Sequence, residues 1–244
     1  MDTVRETLLQ LSSEEKEERK KVRVDYYYYK GACEDKSKAK NDKPKLGQNW
    51  ESKDNLDYEP TQDIRNKVKP LLKKQARWMF SKEPDITIVP FDTNQKELAE
   101  ELRRFIDNIL RKNLFWKKTR QAFLMSTIKK RVMLRASVKV GDGNIPGNIN
   151  LRYEDVENFS YKEIDGVLTE ARFFQEDLNN YLYEDDENKK TYYIHKFTYK
   201  VIEENTPAKA TYVIETYKGD NLSKPIKEDS QEIGFEENKI PAWL

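Results

Sequence analysis

One cysteine, one histidine and eight glycines in 244 residues close off several chemistries before any motif is sought. A lone Cys33 forms no intrachain disulfide and excludes thiol-rich metal sites. A lone His195 excludes paired-histidine zinc motifs and argues against a Ser-His-Asp triad. No run of about 18 apolar residues occurs, which argues against a membrane span. The acidic, polar N-terminus carries no secretory signal, so the expectation is a soluble intracellular chain. An excess of charge of one sign is also missing. The 45 basic and 44 acidic residues sum to +1, which argues against nucleic-acid binding through global charge. Hydrophobic and charged residues each make up 36%, implying a modest core under a heavily charged surface. The length suits one large domain or two small ones.

Among what is present, the stretch Ile64–Pro90 is the most organised. Ile64, Val68, Leu71, Leu72, Gln75 and Met79 fall on one helical face, with Trp78 at its margin. Lys69, Lys73 and Arg77 repeat every four residues on the opposite face. Pro70 cannot donate a backbone hydrogen bond, so the helix kinks there or restarts with Pro70 in its first turn. Glu83-Pro84 ends the run, and Ile86 and Ile88 alternate with Thr87 as a short strand would. The pattern predicts a core helix packed on a sheet.

Before it, Asp2 is a candidate helix cap, followed by Val4, Leu8, Leu9 and Leu11. Ser12 stands three residues before Glu15, the spacing of a capping box that restarts a helix. Glu15–Arg19 and Glu17–Lys21 are favourable pairs on what reads as a solvated face. Tyr26 to Tyr29 ends the segment, as a docking point against the main body or a partner contact. Residues 31–60 carry no sustained periodicity and read as a loop or arm laid over another surface, with Trp50 as anchor. The expected division is therefore an N-terminal helix and arm over 1–60 and an α+β body over 61–244.

Residues 92–112 form the clearest helix, with Leu98, Leu102, Phe105, Ile106, Ile109 and Leu110 recurring at helical spacing. Asp92 or Thr93 can cap its start and Asn113 can close it. A second helix opens near Phe115. Lys117, Lys118, Arg120 and Gln121 share one side early on. Phe123, Leu124, Met125 and Ile128 then surround the axis, so this helix sinks into the core. Lys129-Lys130-Arg131 places cations at its negative end.

At Val132 the period switches to two. Val132, Leu134, Ala136, Val138 and Val140 point one way, and Met133, Arg135, Ser137 and Lys139 the other. Gly141-Asp142-Gly143-Asn144 signals a hairpin turn, and Ile149, Leu151 and Tyr153 return. A phosphate loop would need GK[ST] and a following helix, both absent. Strands are predicted at Val167–Phe174, Thr191–Ile202 and Thr211–Lys218, with a tight turn at Asp165-Gly166. His195 shares a face with Tyr193, Phe197, Tyr199 and Val201 and reads as a hydrogen-bonded sheet residue. Glu184 to Glu187 reads as a solvated hairpin tip without the spacing of a calcium loop. The fold class is α+β, helices first and mostly antiparallel strands after residue 131. No catalytic, cofactor-binding or metal-ligating residue is assigned. Lys239-Ile240-Pro241-Ala242-Trp243-Leu244 looks like a strand cut short.

In their order, DYYYYKG, IRNKVKPLLKKQARWMFSKEPDITI, FWKKTRQAFLMSTIKKRVMLRASV, LRYEDVENFSYKEIDGVLTEARFFQ, ATYVIETYKGDNLSKP and GFEENKIPAWL resemble the N-terminal half of a tailed-phage portal protein, of the type found in phages with long non-contractile tails. Each segment is degenerate alone; their order carries the signal. The family often has a glycine where Ser81 or Lys82 stands, and another where Lys129-Lys130 ends the buried helix. Portal subunits also continue into stem helices, a clip and a channel loop, so the chain is expected to be truncated or the product of a shortened prophage gene.

The resemblance implies a structural role without a cofactor. It implies a homo-oligomeric, dodecameric ring at one capsid vertex, with this chain as the outer wing and the 31–60 arm on a neighbouring subunit. Implied partners are capsid and scaffold proteins, with terminase and tail connector reached mainly through the missing half. DNA would pass through the ring in packaging and ejection without sequence-specific binding. The implied location is the virion portal vertex, and the host cytoplasm during assembly. Two other classes stand beside this reading. One is a nucleic-acid-binding module using Lys69, Lys73, Arg77 and the Lys129–Arg131 triplet. The other is a hydrolase built on paired carboxylates, which would need a pocket that raises their pKa.

Overall fold

A computed structural model describes residues 2–30, 32–33, 45–46, 67–139, 147–182, 184, 186–200, 209–227, 231–237 and 240–244. Its helices are α1 (Asp2–Leu8), α2 (Ser13–Lys30), α3 (Val68–Met79), α4 (Lys96–Lys112), α5 (Phe115–Lys129) and α6 (Leu178–Leu182). The strands are β1 (Ala32–Cys33), β2 (Lys45–Leu46), β3 (Val132–Lys139), β4 (Asn148–Asp155), β5 (Phe159–Ile164), β6 (Val167–Glu176), β7 (Thr191–Lys200), β8 (Lys209–Lys218), β9 (Gln231–Glu237) and β10 (Ala242–Trp243). The protein is α+β, with helices first and antiparallel sheets after. Trp50, Ile64 and the turn at residues 141–144 lie outside the described residues, as does most of the 31–60 arm.

The chain forms two compact units. The first takes Met1–Arg19, Met133–Ala136 and Glu154–Leu244. Its centre is a five-stranded antiparallel meander in the order β5-β6-β7-β8-β9. Asp165 (φ 50°) and Gly166 (φ 77°) both adopt positive φ, the conformation a two-residue hairpin loop needs to match strand twist. They close β5 onto β6 with Ile164 opposite Val167.

Along β6, Ala171, Arg172, Phe173 and Phe174 are all buried, because this sheet is covered on both faces. Leu8, Leu9 and Leu11 cover one face, clustering with Phe174, Tyr192, Ile194 and Tyr217. On the other, the Arg135 guanidinium lies 4.7 Å from the centroid of Phe173. Each fully buried large apolar side chain contributes about 1.5–3 kcal/mol.

The α1–α2 junction is set locally. Ser12 N donates to Glu15 Oε2 at 2.8 Å and Glu15 N donates to Ser12 Oγ at 3.2 Å, the reciprocal pair of a capping box. The face that follows is not wholly solvated as expected. Arg19 is buried and donates to the carbonyls of Glu157 (3.1 Å) and Phe159 (2.5 Å). Its long side chain reaches strand-end carbonyls that sequence spacing does not reveal.

The second unit takes Lys20–Val132 and Ser137–Tyr153. Here α5 packs against α3, with Phe80 meeting Phe123 edge-on at 5.6 Å. Pro70 sits in the first turn of α3, where a missing N–H costs nothing. The expected packing of α3 on a sheet is corrected: it packs against the helix α5, with Ala76 its buried residue and Phe80, just past its end, on Phe123. Ile86 and Ile88 form no strand, since residues 83–90 have no ladder partner.

Asn113 ties the helices to β4. Its Nδ2 donates to the Ile109 and Ile149 carbonyls, and its Oδ1 accepts from Leu151 N at 2.8 Å. The next residue, Leu114, turns the chain with φ 49°. Beyond it α5 deepens as expected, with Ala122, Ile128 and Lys129 buried.

In β3 the alternation is real, but the buried residues are Met133 and Arg135 rather than the more apolar Val132–Leu134–Ala136 row. Arg135 meets Glu154 at 3.4 Å, and the pair is almost wholly out of solvent. β10 pairs antiparallel with β3, Ala242 opposite Arg135 and Trp243 opposite Leu134.

Candidate assembly surface

The apolar face predicted for α3 faces solvent. Leu71, Trp78 and Met79 expose 65–69% of their surface, and Val68 about half. α4 repeats the pattern: Leu98, Leu102 and Phe105 are exposed, while Ile106, Ile109 and Leu110 are only half-buried. The buried residues of these two helices are small, Ala76 on α3 and Ala99 on α4. An exposed stripe of large residues on two successive helices is unusual for a surface that meets only water. Tryptophan, methionine and phenylalanine are the residues that subunit contacts favour.

The basic residues considered for nucleic acid are partly committed elsewhere. Tyr26 and Tyr29 stack at 6.2 Å, and the ammonium groups of Lys30 and Lys129 lie 4.6 and 4.7 Å from the Tyr26 centroid. Lys69 lies 5.9 Å from Tyr29. Lys129 is buried, whereas Lys73 and Arg77 are exposed. The described part of the tyrosine run thus docks within its own unit through cation–π contacts. Burial, then the neighbouring Tyr26, raises the Tyr29 phenol above the usual range.

A cleft of about 340 Å³ opens beside the C-terminal half of α4, lined among others by Glu83, Leu110, Arg111, Leu114, Trp116 and Lys117. Arg103 and Asp107, also on its wall, form an exposed pair at 3.9 Å.

His195 lies where the sequence places it, between sheet neighbours. Its Nδ1 is 2.5 Å from Tyr212 Oη, and its Nε2 is 3.0 Å from Gln175 Oε1. Tyr212 stacks on Phe197 at 4.3 Å. At Glu170, burial pushes the carboxyl upward, but hydrogen bonds and charge from Arg172 and Lys162 outweigh it and hold the pKa low. A general acid needs the opposite shift. Among the described residues no cluster of three or more His, Cys, Asp or Glu could hold a metal ion, and no helix is long and apolar enough to cross a membrane.

These features describe an α+β subunit whose distinguishing surface is a pair of exposed amphipathic helices, the kind of surface an assembly protein presents. A family model for phage portal protein, SPP1 Gp6-like, matches residues 8–241, and the chain belongs to that family. No curated protein matches the chain. The role that follows is structural, in the phage portal of the virion capsid. The exposed faces of α3 and α4 were missed as a surface because amphipathic spacing looks the same whether the apolar side meets a core or a partner.

Proposed function

We propose that this chain is the wing of a portal subunit that assembles into a closed, dodecameric ring at one capsid vertex. DNA enters and leaves the capsid through that ring. Capsid and scaffold proteins contact its outside, terminase and tail connector dock on its ends, and assembly takes place in the host cytoplasm. The observation that carries the reading is the pair of apolar helix faces exposed on a chain of this family.

Native mass spectrometry of the purified chain across concentration tests this. A discrete closed oligomer is expected. A monomer at every concentration, or an open-ended series of masses, would overturn the ring.

A further inference from the structure

We infer that the ring contact in this unit is heterologous: the apolar face of α3 on one copy seats on the apolar face of α4 on the next. This rests on the ring reading and names the surfaces that make it. Two observations carry the pairing: both faces are exposed, and one flank of each stripe carries charge opposite to the other, Lys67 and Lys74 beside the α3 stripe and Glu97 and Glu101 beside the α4 stripe.

From Lys67 to Met79 the chain carries Lys67, Lys69, Lys73, Lys74 and Arg77 and no acidic residue. Lys74 stands beside the exposed stripe, its ammonium 4.8 Å from the Trp78 ring. On α4, Arg104 pairs with Glu100 at 3.5 Å and Arg103 with Asp107 at 3.9 Å. Glu97 and Glu101 remain, with no ion-pair partner among the described residues. At 100° per residue both lie on one flank of the Leu98–Leu102–Phe105 stripe.

Two copies meeting α3 to α3 would bring like charges together, which disfavours that contact. Meeting α3 to α4 places Lys74 and Lys67 against Glu97 and Glu101 around an apolar centre of Trp78, Met79, Leu98 and Leu102. Such a contact uses two different patches, so each copy keeps one of each free, and repetition gives a ring or an open filament. A reciprocated pair, α3 on α4 and α4 on α3 across a two-fold axis, would instead stop at a symmetric dimer and overturn the ring.

The test uses the 244-residue chain with Cys33→Ser, carrying either Met79→Cys or Leu102→Cys. Both positions are exposed, so the folds should survive, and unchanged melting temperatures confirm it. The two proteins are mixed and oxidised, and each is also oxidised alone. A mixed disulfide that forms only in the mixture, within a closed oligomer of more than two copies, is the expected result, and the same disulfide within a dimer supports the pairing but overturns the ring. A closed oligomer without that disulfide, or with disulfides in either protein alone, overturns the pairing and leaves the ring intact. The mixed disulfide on open-ended polymers supports the pairing and overturns the ring. A monomer overturns both. In a parallel arm, Lys74→Glu or Glu101→Lys alone should weaken association at least tenfold, and the two together should restore it. Additive weakening in the double variant would overturn the charge pairing.

Discussion

Lys130 ends α5 with φ 70°, a region where a Cβ costs about 1–2 kcal/mol. A glycine there gives back about 0.5–1 kcal/mol through its looser unfolded chain. Lys130→Gly should therefore raise stability by about 0.5–1 kcal/mol, read as a higher urea midpoint. The portal resemblance leads one to expect a glycine at this helix end, and the positive φ of Lys130 is a physical reason for one. Gly219 is the converse case. A Cβ built on it would lie 1.8 Å from the Glu187 carbonyl oxygen, and backbone on backbone has little room to yield. Gly219→Ala should cost about 1–3 kcal/mol, as overpacking does, and a thermal melt would show it. A melting temperature equal to wild type would mean that the turn shifts freely.

Between elements, the feature with the largest expected consequence is the ion pair joining β3 to β4, Arg135 to Glu154. Removing one partner leaves a charge buried against aromatic rings, at about 3–5 kcal/mol. Replacing both by apolar residues of similar size should cost much less, because the lost attraction is offset by the desolvation no longer required. Glu154→Leu alone should thus be severely destabilising and Arg135→Met with Glu154→Leu far milder. A double-mutant cycle in urea measures the difference, and strictly additive costs would contradict it. Ile194 is fully buried in the five-stranded sheet, so Ile194→Ala should lose about 2–5 kcal/mol on the same assay.

For the molecule as a whole, pH dependence follows from groups whose protonation differs between folded and unfolded chains. Tyr29, Tyr192, Tyr212 and Tyr217 all have raised pKa values, burial being the first cause in each. At Tyr217 a hydrogen bond to Glu215 (2.8 Å) adds to it, and at Tyr212 the Arg135 charge only partly opposes it. A raised folded pKa contributes stability that is complete below the ordinary tyrosine value, about 10, and is lost as pH rises through the folded value. Glu170 is lowered, so its contribution is complete above the ordinary carboxylate value, about 4, and is lost as pH falls through the folded one. Stability should be level between these limits and decline on both sides. Urea midpoints across pH test this, with Glu170→Gln expected to flatten the acid limb. An absorbance titration of the phenols should show a group ionising later than free tyrosine; simple titration near 10 would contradict the burial.

Much was legible because it was local. The Ser12–Glu15 capping box, the Asp165-Gly166 hairpin, the Asn113 break between two helices and the period-two strands each depend on a few neighbouring residues. Short-range chemistry specified them before any tertiary contact formed. Family membership was legible for a related reason: it rests on the order of such segments along the chain.

Which side of each amphipathic element is buried is a different kind of property, because it depends on what lies opposite. Met133 and Arg135 face inward since Phe173 and Glu154 await them, although the Val132–Leu134 row is more apolar. Arg19 is buried because two strand-end carbonyls from far along the chain lie within its reach. The α3 and α4 stripes remain exposed while the buried positions of those helices are Ala76 and Ala99. Sequence by itself determined the elements, their caps and turns, and the family. Tertiary structure alone decided which apolar faces the chain uses for its own core and which it leaves exposed, since periodicity records that a face is apolar but not what covers it.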